Sequence, residues 1–134
     1  MNNSQRFFEI IDQAPDAIIF SDTSGNIKLW NKMAEEIFGH QSSEALEQSL
    51  DIIIPERLRQ AHWNAFHKAI KTGHTKYHGK SLTTKSIHKN GKAIYVKLTF
   101  SLVRNLQGEV EGALAFARDF TEEYLKEKGV KNEN

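Results

Sequence analysis

Apolar and polar side chains alternate with a period of two between residues 93 and 103, as in a strand with one buried face. The apolar positions are Ile94, Val96, Leu98, Phe100 and Leu102. The pair Asn90-Gly91 upstream favours a tight hairpin turn, and the turn-forming residues 105–108 precede another strand over residues 110–118. Residues 75–82 are also expected to be extended. The second half of the chain is therefore predicted to form antiparallel strands.

The first half of the chain combines one hairpin with several short helices. The apolar runs AIIFSD and IKLW flank a turn cluster at residues 23–26, which predicts two paired strands. Helical spacing and end signals predict short helices over residues 4–14, 32–38 and 43–54. The order of two strands, several helices and three strands predicts an α+β domain, with helices packed over one face of an antiparallel sheet.

A longer helix is predicted over residues 55–73, and a histidine lies on its apolar face. At about 100° per residue, the side chains of this face fall within one arc of about 100°. They are Leu58, His62, Ala65, Phe66 and Ala69. Pro55 suits the first helical turn, and Gly73 follows the last periodic residue as a stop signal. His62 is therefore expected to point into the interior of the domain.

The composition describes one domain with a single core and little net charge. Of the 134 residues, 39% are hydrophobic and 26% are charged, with 18 basic against 17 acidic side chains. Because no basic run is interleaved with aromatic residues, direct binding to nucleic acid is not expected. No apolar run approaches the roughly 18 residues that a membrane span requires, so we expect no membrane partner.

Few residues suggest covalent chemistry. The chain has no cysteine, which excludes disulfides and thiol nucleophiles and fits a reducing, cytoplasmic location. We find no nucleophile beside a base and no paired carboxylates on the core faces, so the domain is not expected to be an enzyme. His74 and His78 would lie about 13 Å apart on an extended strand, too far to bind one metal ion. A binding or signalling role is the remaining expectation.

The chain resembles a PAS domain over nearly its whole length. The stretch APDAIIFSDTSGNIKLWNKMAEEIFG is similar to the opening hairpin and helix of that family, HKNGKAIYVKLTFSLV to its Asn-Gly hairpin, and ARDFTEEY to its closing segment. The resemblance implies a PAS fold with a five-stranded antiparallel sheet in the order 2-1-5-4-3, and a sensory role in signal transduction. It divides the chain into an N-terminal helical cap (residues 1–14), the PAS domain (15–119) and the start of an exit helix (120–134).

The helix that carries His62 makes the resemblance to the PAS family more specific. Its sequence, PERLRQAHWNAFHKAIKTG, is similar to the helix of heme-binding PAS sensors in which a histidine coordinates the iron. A neutral imidazole in an apolar pocket is a natural axial ligand for heme iron. The resemblance places Lys68 and Lys76 near the heme propionates and Leu82 where oxygen sensors carry a distal arginine. Because leucine donates no hydrogen bond to bound oxygen, the implied signal is carbon monoxide, nitric oxide or redox state.

The resemblance and the apolar pattern together give a candidate site for heme b, with His62 as the iron ligand. The expected cofactor-binding residues are His62, Leu58, Phe66, Lys68, Lys76, Leu82, Leu98, Phe100, Leu114 and Phe116. Within this set, the side chains expected to form an apolar distal side are Leu82, Leu98, Phe100, Leu114 and Phe116. The absence of cysteine excludes a flavin photosensor of the cysteinyl-adduct type.

Two other interpretations stay open. The same cavity could hold an organic metabolite, or the core could be filled and the domain could serve protein–protein interaction. In the second case His62 is a core histidine bonded to a backbone carbonyl, and a homodimer forms through residues 4–14 and the helix that begins at Glu122. The effector, such as a kinase, a cyclase or a transcription regulator, is not specified by the sequence. An apolar cavity between the His62 helix and the sheet would favour a ligand.

Overall fold

A five-stranded antiparallel sheet organises the chain in the computed structural model, which describes residues 2–129. The strands are β1 (Ala17–Asp22), β2 (Ile27–Trp30), β3 (Leu82–Ile87), β4 (Ala93–Arg104) and β5 (Val110–Asp119). They lie in the order β2-β1-β5-β4-β3, which confirms the expected sheet. The two predicted hairpins, β1-β2 and β3-β4, are both present as antiparallel pairs.

Short helices connect the strands. They are α1 (Asn3–Asp12), α2 (Lys32–Phe38), α3 (Ser42–Ala45), α4 (Arg59–Thr72) and α5 (Thr121–Glu127). The single helix expected from Pro55 is divided, since a 3-10 turn at Glu56–Leu58 precedes α4. Helix α4 ends at Gly73 as predicted, because glycine accepts the left-handed conformation (φ 75°) found there. Within residues 2–129, no helix is both long and apolar enough to cross a membrane.

The prediction of a strand over residues 75–82 is wrong. Strand β3 begins only at Leu82, and the preceding segment consists of turns. The backbone N–H of Lys80 donates to the carbonyl of Tyr77 at 2.9 Å, so local bonds replace a strand ladder. Gly79 adopts a positive φ of 73°, which also interrupts an extended chain. His74 and His78 therefore lie in a connection between α4 and β3, and the strand spacing assumed for them does not apply.

The buried hydrophobic core lies under β1 and β2, where α2 and α3 cover the sheet. Its largest members are Ile27, Trp30 and Phe38, each at most 4% exposed. Val96 and Ala117 extend it to the centre of the sheet. The apolar face predicted for β4 is confirmed at Val96, which is 3% exposed, while Lys97 beside it is exposed. Apolar burial of this kind is the main favourable contribution to the stability of the domain.

Asn31 is a buried polar link between the hairpin, α1 and α2. It is 2% exposed, and its Oδ1 accepts from the backbone N–H groups of Ile18 at 2.9 Å and Ala34 at 3.0 Å. Its Nδ2 donates to the carbonyls of Ile11 at 2.9 Å and Asp16 at 3.0 Å. One side chain thus caps α2 and also fixes the end of α1 against the sheet.

His40, at the edge of this core, is expected to make the stability of the domain depend on pH. Burial lowers its pKa below the ordinary value of 6.5, although the carboxylate of Glu44 opposes that shift. Just below about pH 6.5, His40 is therefore protonated in the unfolded chain but still neutral in the folded chain. The free energy of unfolding should fall as the pH is lowered through this window. A His40→Leu variant, compared with wild type by urea denaturation between pH 7.5 and 5, should show a smaller fall. An equal fall in both proteins would contradict the assignment.

The two terminal helices lie against the domain in different ways. Helix α1 exposes Phe7, Phe8 and Ile10, each 59–61% accessible, so its proposed role as a dimer contact stays a prediction. Helix α5 is fixed to β4, because the Tyr95 and Tyr124 rings stack at 3.9 Å and the Tyr95 N–H donates to Oγ1 of Thr121 at 2.9 Å. The end of the predicted exit segment, residues 130–134, lies outside the described residues.

Candidate functional site

A cavity of about 620 Å³ lies between α4 and the inner face of the sheet. Helix α4 contributes His62 and Phe66, and the connection from α4 to β3 contributes Lys76 and Tyr77. Most of the lining is apolar, and the volume is within the range of about 300–1,000 Å³ usual for small-molecule sites. The space between α4 and the sheet is therefore not filled by side chains.

Small residues on β5 create the space. Ala113 and Ala115 line the cavity, and their neighbours across the ladder are Leu102 and Phe100 on β4. A methyl side chain reaches only a short distance from the strand, so these alanines leave the space between β5 and the helix above unfilled. The cavity is therefore a consequence of the alanines at alternate positions of this strand.

Three predicted site residues do not line the cavity. Leu114 and Phe116 are wrong because they alternate with the cavity-lining alanines of β5 and so point to the opposite face. Phe116 is 40% exposed there. Leu58 is also wrong, since it belongs to the 3-10 turn before α4 and does not continue the periodicity of that helix.

The other predicted residues are brought together in the cavity. They are His62, Phe66, Lys68, Lys76, Leu82, Leu98 and Phe100. Leu82, Leu98 and Phe100 belong to the strands β3 and β4, and the Tyr77 ring lies 6.2 Å from that of Phe100. The two lysines, Lys68 and Lys76, give this mostly apolar cavity a basic margin that suits an anionic group on a ligand.

The lining also contains hydroxyl groups that were not predicted from the sequence, and two of them lie on strands, those of Ser21 on β1 and Thr84 on β3. Ser21 is 1% exposed, and its Oγ has no hydrogen-bond partner among residues 2–129. The signal for Ser21 was present in the strand period, because Ser21 lies two residues after the inward-facing Ile19. No comparable signal marked Thr84, since the start of β3 was placed too early.

Aromatic rings hold His62 in place. Its ring stacks on Phe66 at a centroid distance of 5.9 Å and meets Trp63 edge-on at 4.6 Å. Trp63 is itself fixed, because its indole N–H donates to Oδ1 of Asp51 at 2.7 Å. Nδ1 of His62 is buried and has no hydrogen-bond partner in the part of the chain that the structure describes. Packing rather than hydrogen bonding therefore orients the imidazole.

The surroundings keep His62 uncharged. Burial lowers the pKa of its imidazole below the ordinary value of 6.5, the nearby Asp51 carboxylate acts in the opposite direction, and His67 adds to the lowering. A neutral imidazole keeps a lone pair free, which is the form that binds a metal. At pH 7 the cavity thus presents a neutral nitrogen base.

Both ends of α4 are attached to hairpin turns at one end of the sheet. Near its start, Trp63 packs against Gly25 in the β1-β2 turn so closely that a Cβ atom at residue 25 would collide with the indole. At its end, the carbonyl of Gly73 accepts from the Arg104 guanidinium at 2.5 Å, and Arg104 also donates to Gly108 in the β4-β5 turn at 3.0 Å. The helix that carries His62 is thereby held across the strands, and these contacts fix its distance from the sheet.

The comparisons with known proteins identify the family. Residues 5–120 match the family profile described as PAS fold, so the chain belongs to the PAS family. It is 25% identical over 122 residues to the oxygen sensor protein DosP of Escherichia coli K12, covering 91% of this chain and 15% of DosP. It is 40% identical over 53 residues to the sensor protein FixL of Bradyrhizobium diazoefficiens, covering 40% of this chain and 10% of FixL. The chain thus spans a small part of each relative.

Solved structures show the same fold. The PAS domain of a protein from Colwellia psychrerythraea superposes with a TM-score of 0.74 at 20% identity, covering 90% of this chain and 99% of that one. An RNA-binding light-oxygen-voltage receptor superposes with a TM-score of 0.76 at 20% identity, covering 94% of this chain and 35% of the receptor. The family match and the sensor proteins among the relatives identify the chain as a sensory PAS domain.

Proposed function

We propose that this PAS domain binds heme b in the cavity, with His62 as the axial ligand of the iron. The observation that carries the proposal is a neutral imidazole lining an apolar cavity of about 620 Å³. An uncharged histidine and an apolar surround are what a heme pocket requires of the protein. When bound, heme would supply an iron atom that takes up diatomic gases or changes its oxidation state.

The residues present fit this group, with one particular feature. A histidine that binds a metal usually donates its other ring N–H to an acceptor, which fixes the ring and raises its basicity. In His62 that role passes to Phe66 and Trp63, which fix the ring by packing while Nδ1 stays unpartnered among the described residues. His62 should therefore be a well-oriented ligand that donates less electron density than a hydrogen-bonded histidine.

The other residues that line the cavity affect which signal the domain would sense. Lys68 and Lys76 line it and could pair with the heme propionates. Leu82, Leu98 and Phe100 present apolar surface, and Leu82 offers no hydrogen bond to bound oxygen. Carbon monoxide, nitric oxide or redox state is therefore the signal we propose. The names of the relatives DosP and FixL, an oxygen sensor protein and a sensor protein, support a sensory role.

A second candidate is an organic metabolite in the same cavity. Its support is the unpartnered Oγ of Ser21, a polar atom that a heme held by His62 does not itself require. The light-oxygen-voltage neighbour does not add flavin as a third candidate, because its 20% identity carries the fold alone. The absorption spectrum of the purified protein separates the two candidates.

We further propose that β4 passes the ligand state to α5 and on to an effector or partner. Leu98 and Phe100 of β4 face the cavity, whereas Tyr95 and Lys97 on the same strand contact the exit helix and its first residues. Lys97 places its Nζ 4.2 Å from the centre of the Phe120 ring. A homodimer through α1 and α5 would place this contact near its interface.

The heme proposal is tested by reconstitution. Purified protein titrated with hemin should take up one equivalent and show a defined Soret band, which sharpens and shifts when the reduced protein binds carbon monoxide. A His62→Ala variant should lose or shift that band. A His67→Ala variant is the matched control, because it also removes an imidazole from the same helix but one that is exposed and does not line the cavity, so the band should persist. If wild type takes up no stoichiometric heme, or if His62→Ala binds it identically, the proposal is wrong.

A further inference from the structure

The hydroxyl of Ser21 is a buried polar group that the proposed heme ligation leaves without a role. Ser21 is 1% exposed and lines the cavity, and none of residues 2–129 offers its Oγ a hydrogen bond. Buried polar atoms without a partner are rare in proteins, because each loses its hydration without a replacement. Such an atom at a cavity wall indicates a contact that a ligand completes.

The neighbours of Ser21 cannot supply that contact. Directly across the ladder is Ala113 of β5, which in turn faces Leu102 of β4, and all three side chains line the cavity. Ile19, two residues earlier on β1, is also apolar. The Ser21 hydroxyl is therefore an isolated polar group in an apolar part of the cavity wall. It can donate one hydrogen bond and can also accept hydrogen bonds.

The Ser21 hydroxyl lies at the end of the cavity next to the β1-β2 turn, and the part of α4 that carries His62 packs against this turn. Ser21 lies close to the end of β1, and the turn that follows contains Gly25, against which Trp63 packs. Leu50, whose backbone N–H donates to the carbonyl of Gly25 at 3.0 Å, also lines the cavity. A ligand that reaches the turn end of the cavity therefore meets the Ser21 hydroxyl.

We propose that Ser21 determines specificity, by anchoring a small uncharged molecule whose single hydroxyl or carbonyl oxygen bonds to Oγ. The rest of such a molecule would be apolar, since it lies against Ile19, Leu102 and Ala113. A charged group is disfavoured at this position, because one neutral hydroxyl does not replace the hydration of an ion. The proposal concerns the cavity without heme and does not depend on heme binding.

Phenol and toluene form a matched pair of probes, since a hydroxyl in one replaces a methyl in the other. Each is titrated into the heme-free full chain, and dissociation constants are measured from amide chemical shifts by NMR. Ser21→Ala should weaken phenol binding about five-fold, the value of one neutral hydrogen bond, and leave toluene binding unchanged or tighter. Comparison of the two ratios isolates the contact between Ser21 and the probe.

Ser101→Ala is the control variant, because Ser101 lies between the cavity-facing Phe100 and Leu102 on β4 and so points to the outer face. It should change neither dissociation constant. The proposal is overturned if Ser21→Ala weakens phenol and toluene equally, or if wild type does not bind phenol. Heme reconstitution is scored separately, so failure of heme uptake with a selective loss of phenol binding overturns only the heme proposal.

Discussion

An Ala115→Phe variant should abolish the proposed heme uptake while the domain stays folded. Ala115 lies on β5 in the floor of the cavity, beside Ile19 of β1 and Phe100 of β4. A phenyl group there would occupy the space that the porphyrin needs. Because the cavity offers room, the cost of about 1–3 kcal/mol usual for overpacking a dense core should be reduced. We expect hemin affinity to fall at least 100-fold, equivalent to about 2.7 kcal/mol, as measured by Soret titration.

Leu114→Phe is the matched control for this prediction. Leu114 precedes Ala115 on the same strand and points to the other face of the sheet, so a phenyl group introduced there should leave hemin affinity unchanged. Circular dichroism and urea denaturation verify that both variants fold. If Leu114→Phe blocked heme uptake and Ala115→Phe did not, the faces assigned to β5 would be reversed.

An Asn31→Ala variant should destabilise the domain by at least about 2.5 kcal/mol. Loss of the cap on α2 costs about 0.5–2 kcal/mol, and buried backbone groups left without partners cost about 1–3 kcal/mol each. The groups left without this partner are the N–H of Ile18 and the carbonyl of Asp16, whereas the carbonyl of Ile11 still accepts from the backbone N–H of Ala14 at 3.3 Å. Urea denaturation should show a lower midpoint with an unchanged slope.

Asn64→Ala serves as the control, because Asn64 is exposed on α4 and alanine is a better helix former. It should change the free energy of unfolding by less than about 0.5 kcal/mol. A destabilisation of Asn31→Ala no larger than that of Asn64→Ala would show that the buried hydrogen bonds of Asn31 contribute little.

The sequence predicted the fold well where one local pattern decided it. The alternation along β4 identified its inner face, and Asn90-Gly91 and residues 23–26 marked the two hairpins that the structure confirms. It failed between α4 and β3, where turn bonds around Tyr77 and the positive φ of Gly79 delay the strand to Leu82. Extended and turn conformations compete there through contacts that no short window of sequence contains.

The candidate site was harder to predict. Large apolar side chains are usually the ones that face the interior, but next to a cavity small side chains face it instead. On β5 both faces look apolar, and the larger Leu114 and Phe116 were expected inside. The structure places Ala113 and Ala115 inside, since small side chains are what leave room for a ligand. His62, by contrast, was correctly expected to face the interior, because one helical period fixes its direction. The partners of Asn31, from Ile11 to Ala34, depend on tertiary contacts beyond such patterns.

The contact between Trp63 and His62 gives the domain its own optical reporter. The chain has two tryptophans, Trp30 and Trp63. Trp30 is buried in the core at 4% exposure, and its indole N–H donates to the carbonyl of His40 at 2.9 Å. Trp63 instead stands edge-on to His62 beside the cavity. Its fluorescence should respond to any occupant, by energy transfer to a porphyrin or by a changed local polarity. With Trp30 replaced by Phe, a fluorimeter would follow occupancy in real time without an added dye.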